Sequence, residues 1–142
     1  MEVDISIGSS PGDRRQSQAI RRSVFVREQK IPQELDLDGQ DAGSLHLLAK
    51  VDGVAVGTAR LSISGPEAVL ARVAVLPGYR EKGIATALIR AALCRCREAQ
   101  VRSLWIHAHR HLRAYYASFG FEFVRDVEVV GEHQLIAMQL AM

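Results

Sequence analysis

The six residues Arg80-Glu81-Lys82-Gly83-Ile84-Ala85 have types and spacing suited to gripping an anion. An apolar, strand-like run from Val69 ends at Leu76-Pro77-Gly78, and a helical pattern begins at Gly83. The first turn of a helix leaves backbone N–H groups without partners, and the positive end of the helix dipole lies behind them. Gly83 brings no side chain to block a phosphate, Ala85 keeps the next approach small, and Arg80 and Lys82 add positive charge. A glycine in a strand–loop–helix connection is common. The apolar strand before it and the amphipathic helix after it are what make this one a candidate diphosphate site.

Other chemistry-bearing residues are spread along the chain. Tyr115 and Tyr116 fall in a short helical run ahead of Gly120, and adjacent positions put them on different faces. Proton acceptors include Glu28, the acids Glu34, Asp36, Asp38 and Asp41, and the histidines His107, His109 and His111. The acidic run, broken by Pro32 and Gly39, reads as a solvated loop; the alternative is the rim of a site for a cationic substrate. His107 and His109 alternate on a strand and share a face, but no further ligands stand at metal-binding spacing, so no metal is expected. Cys94-x-Cys96 suits neither a disulfide framework nor a zinc site, and both lie too far along their helix for an activated thiolate.

These residues need a frame. A chain of 142 residues with 48% hydrophobic and 24% charged residues fits a single domain, 1–142. The formal charge of +2 comes from scattered arginines and forms no basic stripe, which disfavours nucleic acid as a partner. No apolar stretch reaches membrane-spanning length, and the acidic N-terminus is unlike a signal peptide, so a cytoplasmic chain with reduced thiols is expected. The apolar periodicity predicts a strand from Glu2 to Ile7. A helix follows from the Ser10-Pro11 start to about Glu28. Three strands come next, over Leu45–Val51, Val54–Ile63 and Val69–Leu76, the first two joined by an Asp52-Gly53 turn. A helix over Gly83–Glu98 buries Ala85, Leu88, Ile89, Ala92 and Cys96, with Thr86, Arg90 and Arg97 opposite. A strand over Leu104–Ala108, a helix over His111–Phe119 stopped by Gly120, and strands over Phe121–Val130 and Leu135–Leu140 complete the chain. The order implies an α/β protein of the α+β kind: one mixed sheet of about seven strands with helices on its faces.

Arg80-x-x-Gly83-x-Ala85, preceded by Val73-Ala74-Val75, resembles the acetyl-CoA signature of the GNAT superfamily of N-acetyltransferases. The likeness extends to the ElaA-like branch. Val24-Phe25-Val26-Arg27-Glu28-Gln29 with Ile31-Pro32 and Glu34-x-Asp36 resembles its N-terminal signature, and Ala108 through Phe121 its C-terminal one. Together these segments span Ser23 to Leu140. The resemblance implies a GNAT-like fold and acetyl-CoA as cosubstrate. The pantetheine arm would pair with the backbone of Val73, Ala74 and Val75 where their strand splays at a bulge. The pyrophosphate would rest on amides from Glu81 to Ala85, beside Arg80. It implies direct transfer of the acetyl group to an amine acceptor, with the N–H near Val75 steadying the oxyanion and Tyr116 protonating the departing thiolate. The base stays open among Glu28, the acidic loop and the histidines, and so does the oligomeric state, with a homodimer as one option. His109 stands where the branch has Gln, and Gln134-Leu135 precede Met138 where the branch has Pro-His, with His133 shifted. The alternative to an enzyme is an acyl-CoA-binding sensor or interaction module without turnover.

Overall fold

The computed structural model describes residues 1–142. One seven-stranded sheet runs β1-β2-β3-β4-β5-β7-β6, comprising β1 (Asp4–Gly8), β2 (Leu45–Val51), β3 (Val54–Ser64), β4 (Glu67–Val75), β5 (Ser103–His109), β6 (Glu122–Val130) and β7 (His133–Ala141). Every neighbouring pair is antiparallel except β4 and β5, which are parallel. A parallel pair needs a long crossover, and α3 (Ile84–Glu98) supplies it. The remaining helices are α1 (Pro11–Arg21), the short α2 (Gln33–Asp36) and α4 (Arg113–Ala117).

Local chemistry explains the ends. Ser10 Oγ accepts the Asp13 amide at 3.1 Å while the Asp13 carboxylate accepts the Ser10 amide at 3.3 Å, a reciprocal cap. Asp52 and Gly53 both adopt positive φ, as a tight hairpin turn demands. The helix begun at Pro11 does run to Glu28, but from Arg22 onward it widens into a π-helical segment that sequence periodicity does not reveal.

Alternation in β2 sorts the two faces. Leu47 and Ala49 join the main core with Leu88, Ile89, Ala92 and Cys96 of α3, whereas Leu48 packs with Ile20 of α1 and Val24 of the π-helical segment. Thus α3 and α4 cover one face, and α1 with its π-helical extension covers the other. Cys96 is core and Cys94 is exposed, as the stripe predicts. Gly57 lets α3 approach closely, since a Cβ there would sit 3.0 Å from Ile84 Cγ2 and 3.2 Å from Leu88 Cδ1.

Candidate active site

The loop between β4 and α3 forms a cradle. Glu81 at φ 60° and Gly83 at φ 79° are left-handed residues separated by Lys82, and such alternation turns successive N–H groups toward one side. Gly83 caps α3 with no side-chain hydrogen bond to the helix amides. In this segment the amide bonds are Tyr79 to the Leu76 carbonyl at 3.1 Å and Ala87 to the Gly83 carbonyl at 3.0 Å; the amides from Arg80 to Ala85 have no acceptor in the chain. A Cβ on Gly83 would meet nothing within 4 Å, so the space before the amides is open. Ile84 plugs its side chain into the core while its amide stays at the rim, and Glu81 and Lys82 are exposed. Unpaired donors, a helix dipole and open space fit a diphosphate.

Arg80 plays a part that the sequence does not show. Its Nε donates to the Val75 carbonyl at 2.9 Å, and its terminal nitrogens bind both carboxylate oxygens of Glu28. The guanidinium therefore straps the end of the π-helical segment to the end of β4. Hydrogen bonding to Arg80 holds the Glu28 carboxyl below its ordinary range, so Glu28 is a weak proton acceptor while the strap is closed.

Beyond the cradle, β4 and β5 separate. Their parallel register runs from Glu67–Ser103 to Leu70–Ile106 and stops, yet β4 continues to Val75 and β5 to His109. The cause is a bulge: opposite β3, Arg60 pairs with Ala71 but Thr58 pairs with Ala74, and Arg72 takes φ 57°. The extra residue reverses the alternation. Ala68 and Leu70 face the main core before it. After it Val73 and Val75 do, while Ala74 turns to the α1 side. The backbone of Val73, Ala74 and Val75 is left without a strand on its β5 side.

Tyr116 of α4 belongs to the main core, with Val75, Ala108 and the α3 residues Ile84 and Leu88. It is 5% exposed, with its ring edge-on to that of Phe121. Burial, reinforced by Tyr115, pushes its pKa above the ordinary phenol value, so the hydroxyl keeps its proton. Tyr115, on a different face of α4, places its hydroxyl 2.9 Å from Thr86 Oγ1 on the first turn of α3. Thr86 is accordingly half-buried and not on a solvent stripe.

A cradle at a helix start, reached from a bulged strand that has left its parallel neighbour, is matched in sequence by the model of the "Acetyltransferase (GNAT) family" over residues 15–121. The chain belongs to the GNAT family. Among solved structures it is similar to an acyl-CoA N-acyltransferase from Pseudomonas aeruginosa, at 27% identity and TM-score 0.88, covering 99% of this chain and 100% of that one. It is also similar to Escherichia coli ElaA, at 26% identity and TM-score 0.87, covering 98% of this chain and 99% of that one. Among sequences, the N-acetyltransferase YitI of Bacillus subtilis, itself uncharacterized, is 27% identical over 80% of this chain and 83% of the relative. The GNAT family works with acetyl-CoA, so the chain is an acyltransferase by family.

In this GNAT chain the acidic run is not a solvated loop. Asp36 and Asp41 are buried, and with Asp38 they bind Arg21, Arg60 and Arg72 on the α1 face. Arg21, fully enclosed, reaches Asp36 at 3.1 Å and Asp41 at 2.7 Å, and Arg60 holds Asp38 at 2.8 Å. Arg72 at the bulge binds Asp36 at 3.1 Å, tying the loop to the splayed strand. Desolvation works to raise the Asp41 pKa, but hydrogen bonds from Arg21 and Gln18 overcome it and hold the carboxyl far below the usual range. These acids are held in ion pairs with arginines, which removes them as bases. Sequence spacing could not show this, because the three arginines come from α1, β3 and β4.

The histidines divide. His107 is exposed and lies 3.4 Å from Glu128 on β6. His109 ends β5 with its ring 4.7 Å from that of His133 and 5.6 Å from that of His111. No group of three or more His, Cys, Asp and Glu residues is arranged to hold a metal ion.

Proposed function

We propose that this chain is an N-acetyltransferase of the ElaA-like branch, moving an acetyl group from acetyl-CoA directly to a primary amine of a small molecule or protein. The observation that carries the reading is the pairing of free amides from Arg80 to Ala85 with the open backbone edge of Val73 to Val75. The first suits a diphosphate and the second an amide-bearing arm, and the two are continuous along the chain. Acetyl-CoA supplies an activated acyl thioester. Glu81, Lys82, Gly83, Ile84 and Ala85 offer the backbone donors that hold its pyrophosphate. Val73, Ala74 and Val75 align the arm, and the amide near Val75 faces the developing oxyanion.

Tyr116 then serves the sulfur. Burial keeps its hydroxyl protonated, and in this reading it donates a hydrogen bond to sulfur and yields the proton as the C–S bond breaks. Its raised pKa restricts that transfer to the moment when negative charge builds on sulfur.

The experiment is calorimetry with CoA and acetyl-CoA, followed by a free-thiol assay against a panel of aliphatic amines, diamines, amino sugars and peptide N-termini. Heat with acetyl-CoA and thiol release on some amine support the enzyme. Heat without release on any amine supports an acyl-CoA sensor, and no heat removes the cradle. Tyr116→Phe should lower kcat roughly 100-fold or more while leaving acetyl-CoA affinity unchanged. An unchanged kcat takes Tyr116 out of the reaction.

A further inference from the structure

An imidazole cluster stands on the side of the sheet opposite Tyr116. Alternation along β5 puts Ala108 in the core that Tyr116 shares and turns His107 and His109 to the other face. His109 is the last residue of β5, three positions beyond the last residue paired to β4. It therefore flanks the gap where the splayed strands are open. An open cavity of about 320 Å³ lies between the end of β5 and the β6–β7 turn, lined by His109, Arg110, His111, Glu132, His133 and Gln134.

We propose that His109 is the base that takes the proton of the acceptor amine. His133 is a positioning residue for it and His111 stands toward the outlet. The inference rests on the acetyl-transfer reading above. Its reasoning is one of placement. Glu28 is bound to Arg80, Asp36, Asp38 and Asp41 are bound to arginines, and His107 faces Glu128. Among the groups considered as bases, His109 combines a place at the gap with freedom from a charged partner. A carbonyl oxygen can only accept, so His133 Nε2 donates to the Gln29 carbonyl at 3.2 Å, which fixes that ring against His109. The charged groups around the cavity are Arg110, whose guanidinium is held by Asp126 at 2.6 Å, together with Glu132, His111 and His133. Burial first, then the rings of His133 and His111, lowers the His109 pKa below the ordinary histidine value, leaving a neutral acceptor at neutral pH.

The balance is complete. The neutral amine nitrogen bonds to the acyl carbon and its surplus proton passes to His109. The C–S bond breaks with its electron pair going to sulfur, which takes the Tyr116 proton. Solvent then carries a proton from the His109 imidazolium to the Tyr116 phenolate. An amine and a thioester become an amide and a thiol. Because Tyr116 and His109 lie on opposite faces of the sheet, the two transfers do not compete.

The test uses the full chain labelled with ¹⁵N-histidine. Calorimetry with acetyl-CoA comes first; its failure sinks the cradle reading, and with it this one, and is distinct from any histidine result. Where heat is seen, the His109 ring should be neutral at neutral pH and its signals should shift on saturation with acetyl-CoA, while those of His107 stay. A His109 ring that is protonated at neutral pH, or unmoved by acetyl-CoA, overturns the proposal. Thiol release is then followed against pH with the fastest amine of the panel and with hydroxylamine, whose nitrogen after attack is acidic enough to give its surplus proton to water without a base. His109→Gln should slow the amine reaction roughly 100- to 10,000-fold and abolish its acidic limb, while hydroxylamine loses much less. Imidazole added to His109→Ala should restore part of the rate, and His107→Gln should be unchanged. Equal losses for both nucleophiles, or an intact acidic limb, refute the role. If no panel amine or hydroxylamine turns over, the ring titration decides alone.

Discussion

Replacing Asp41 by Ala tests whether the buried ion network holds the acidic loop to the sheet. The Asp41 carboxylate accepts from Arg21 Nη1 at 2.7 Å, from Gln18 Nε2 at 2.8 Å and from Arg60 Nη1 at 3.1 Å. Removing it leaves Arg21, at 0% exposure, with a terminal nitrogen that water cannot reach. Breaking such a pair costs about 3–5 kcal/mol, a large part of the roughly 5–15 kcal/mol that a domain possesses. Unfolding entropy of about 2.1 cal/mol/K per residue makes that a fall in Tm of roughly 10–17 °C for this length. Asp41→Asn keeps an acceptor for Arg21, and Gln18 can turn its amide over to meet the new N–H₂, so its cost should be nearer 1–3 kcal/mol. Urea unfolding followed by circular dichroism, with equal m-values, measures both.

The same variants report on pH. Asp41 and Asp38 have folded pKa values below the unfolded aspartate value of about 3.9, so their stabilisation is full above that pH and disappears as pH falls toward the native values. Wild-type stability should therefore drop steeply below about pH 4, and Asp41→Asn should flatten part of that drop. If Asp41→Ala lies within about 1 kcal/mol of wild type, the network is ornamental and the reasoning from burial is refuted.

Two glycines give further tests. Gly83→Ala meets no atom within 4 Å but must hold φ 79°, so it should cost about 1–2 kcal/mol in stability and weaken CoA binding by more than that strain explains; unaltered calorimetric affinity would move the phosphate elsewhere. Gly57→Val would press on Ile84 and Leu88, costing about 1–3 kcal/mol, and by shifting the first turn of α3 it should reduce CoA affinity. A variant of normal stability and affinity would show that the close approach of α3 is not needed.

Local rules made most of the architecture legible. Strand and helix types, the Ser10 cap, the Asp52-Gly53 turn and the Gly83 start all depend on neighbours a few residues away, and the structure has each of them. The cradle was legible for the same reason, because its donors are backbone amides whose geometry follows from one short segment. Side-chain partnerships were not. The acidic run becomes a buried network, Glu28 closes on Arg80 across 52 positions, and Tyr115 reaches Thr86 across 29. The Arg72 bulge likewise reverses which of Val73, Ala74 and Val75 face the core, and a period-two pattern carries no sign of an inserted residue.

What the sequence determined by itself was the order of elements and the presence of an open helix start with unpaired amides, since both are set by backbone preferences over short spans. The tertiary structure alone decided which acids are spent in ion pairs, which histidine rings lie side by side and which tyrosine hydroxyl meets Thr86. Those assignments depend on desolvation and on partners brought together from distant elements, and neither exists until the chain has folded.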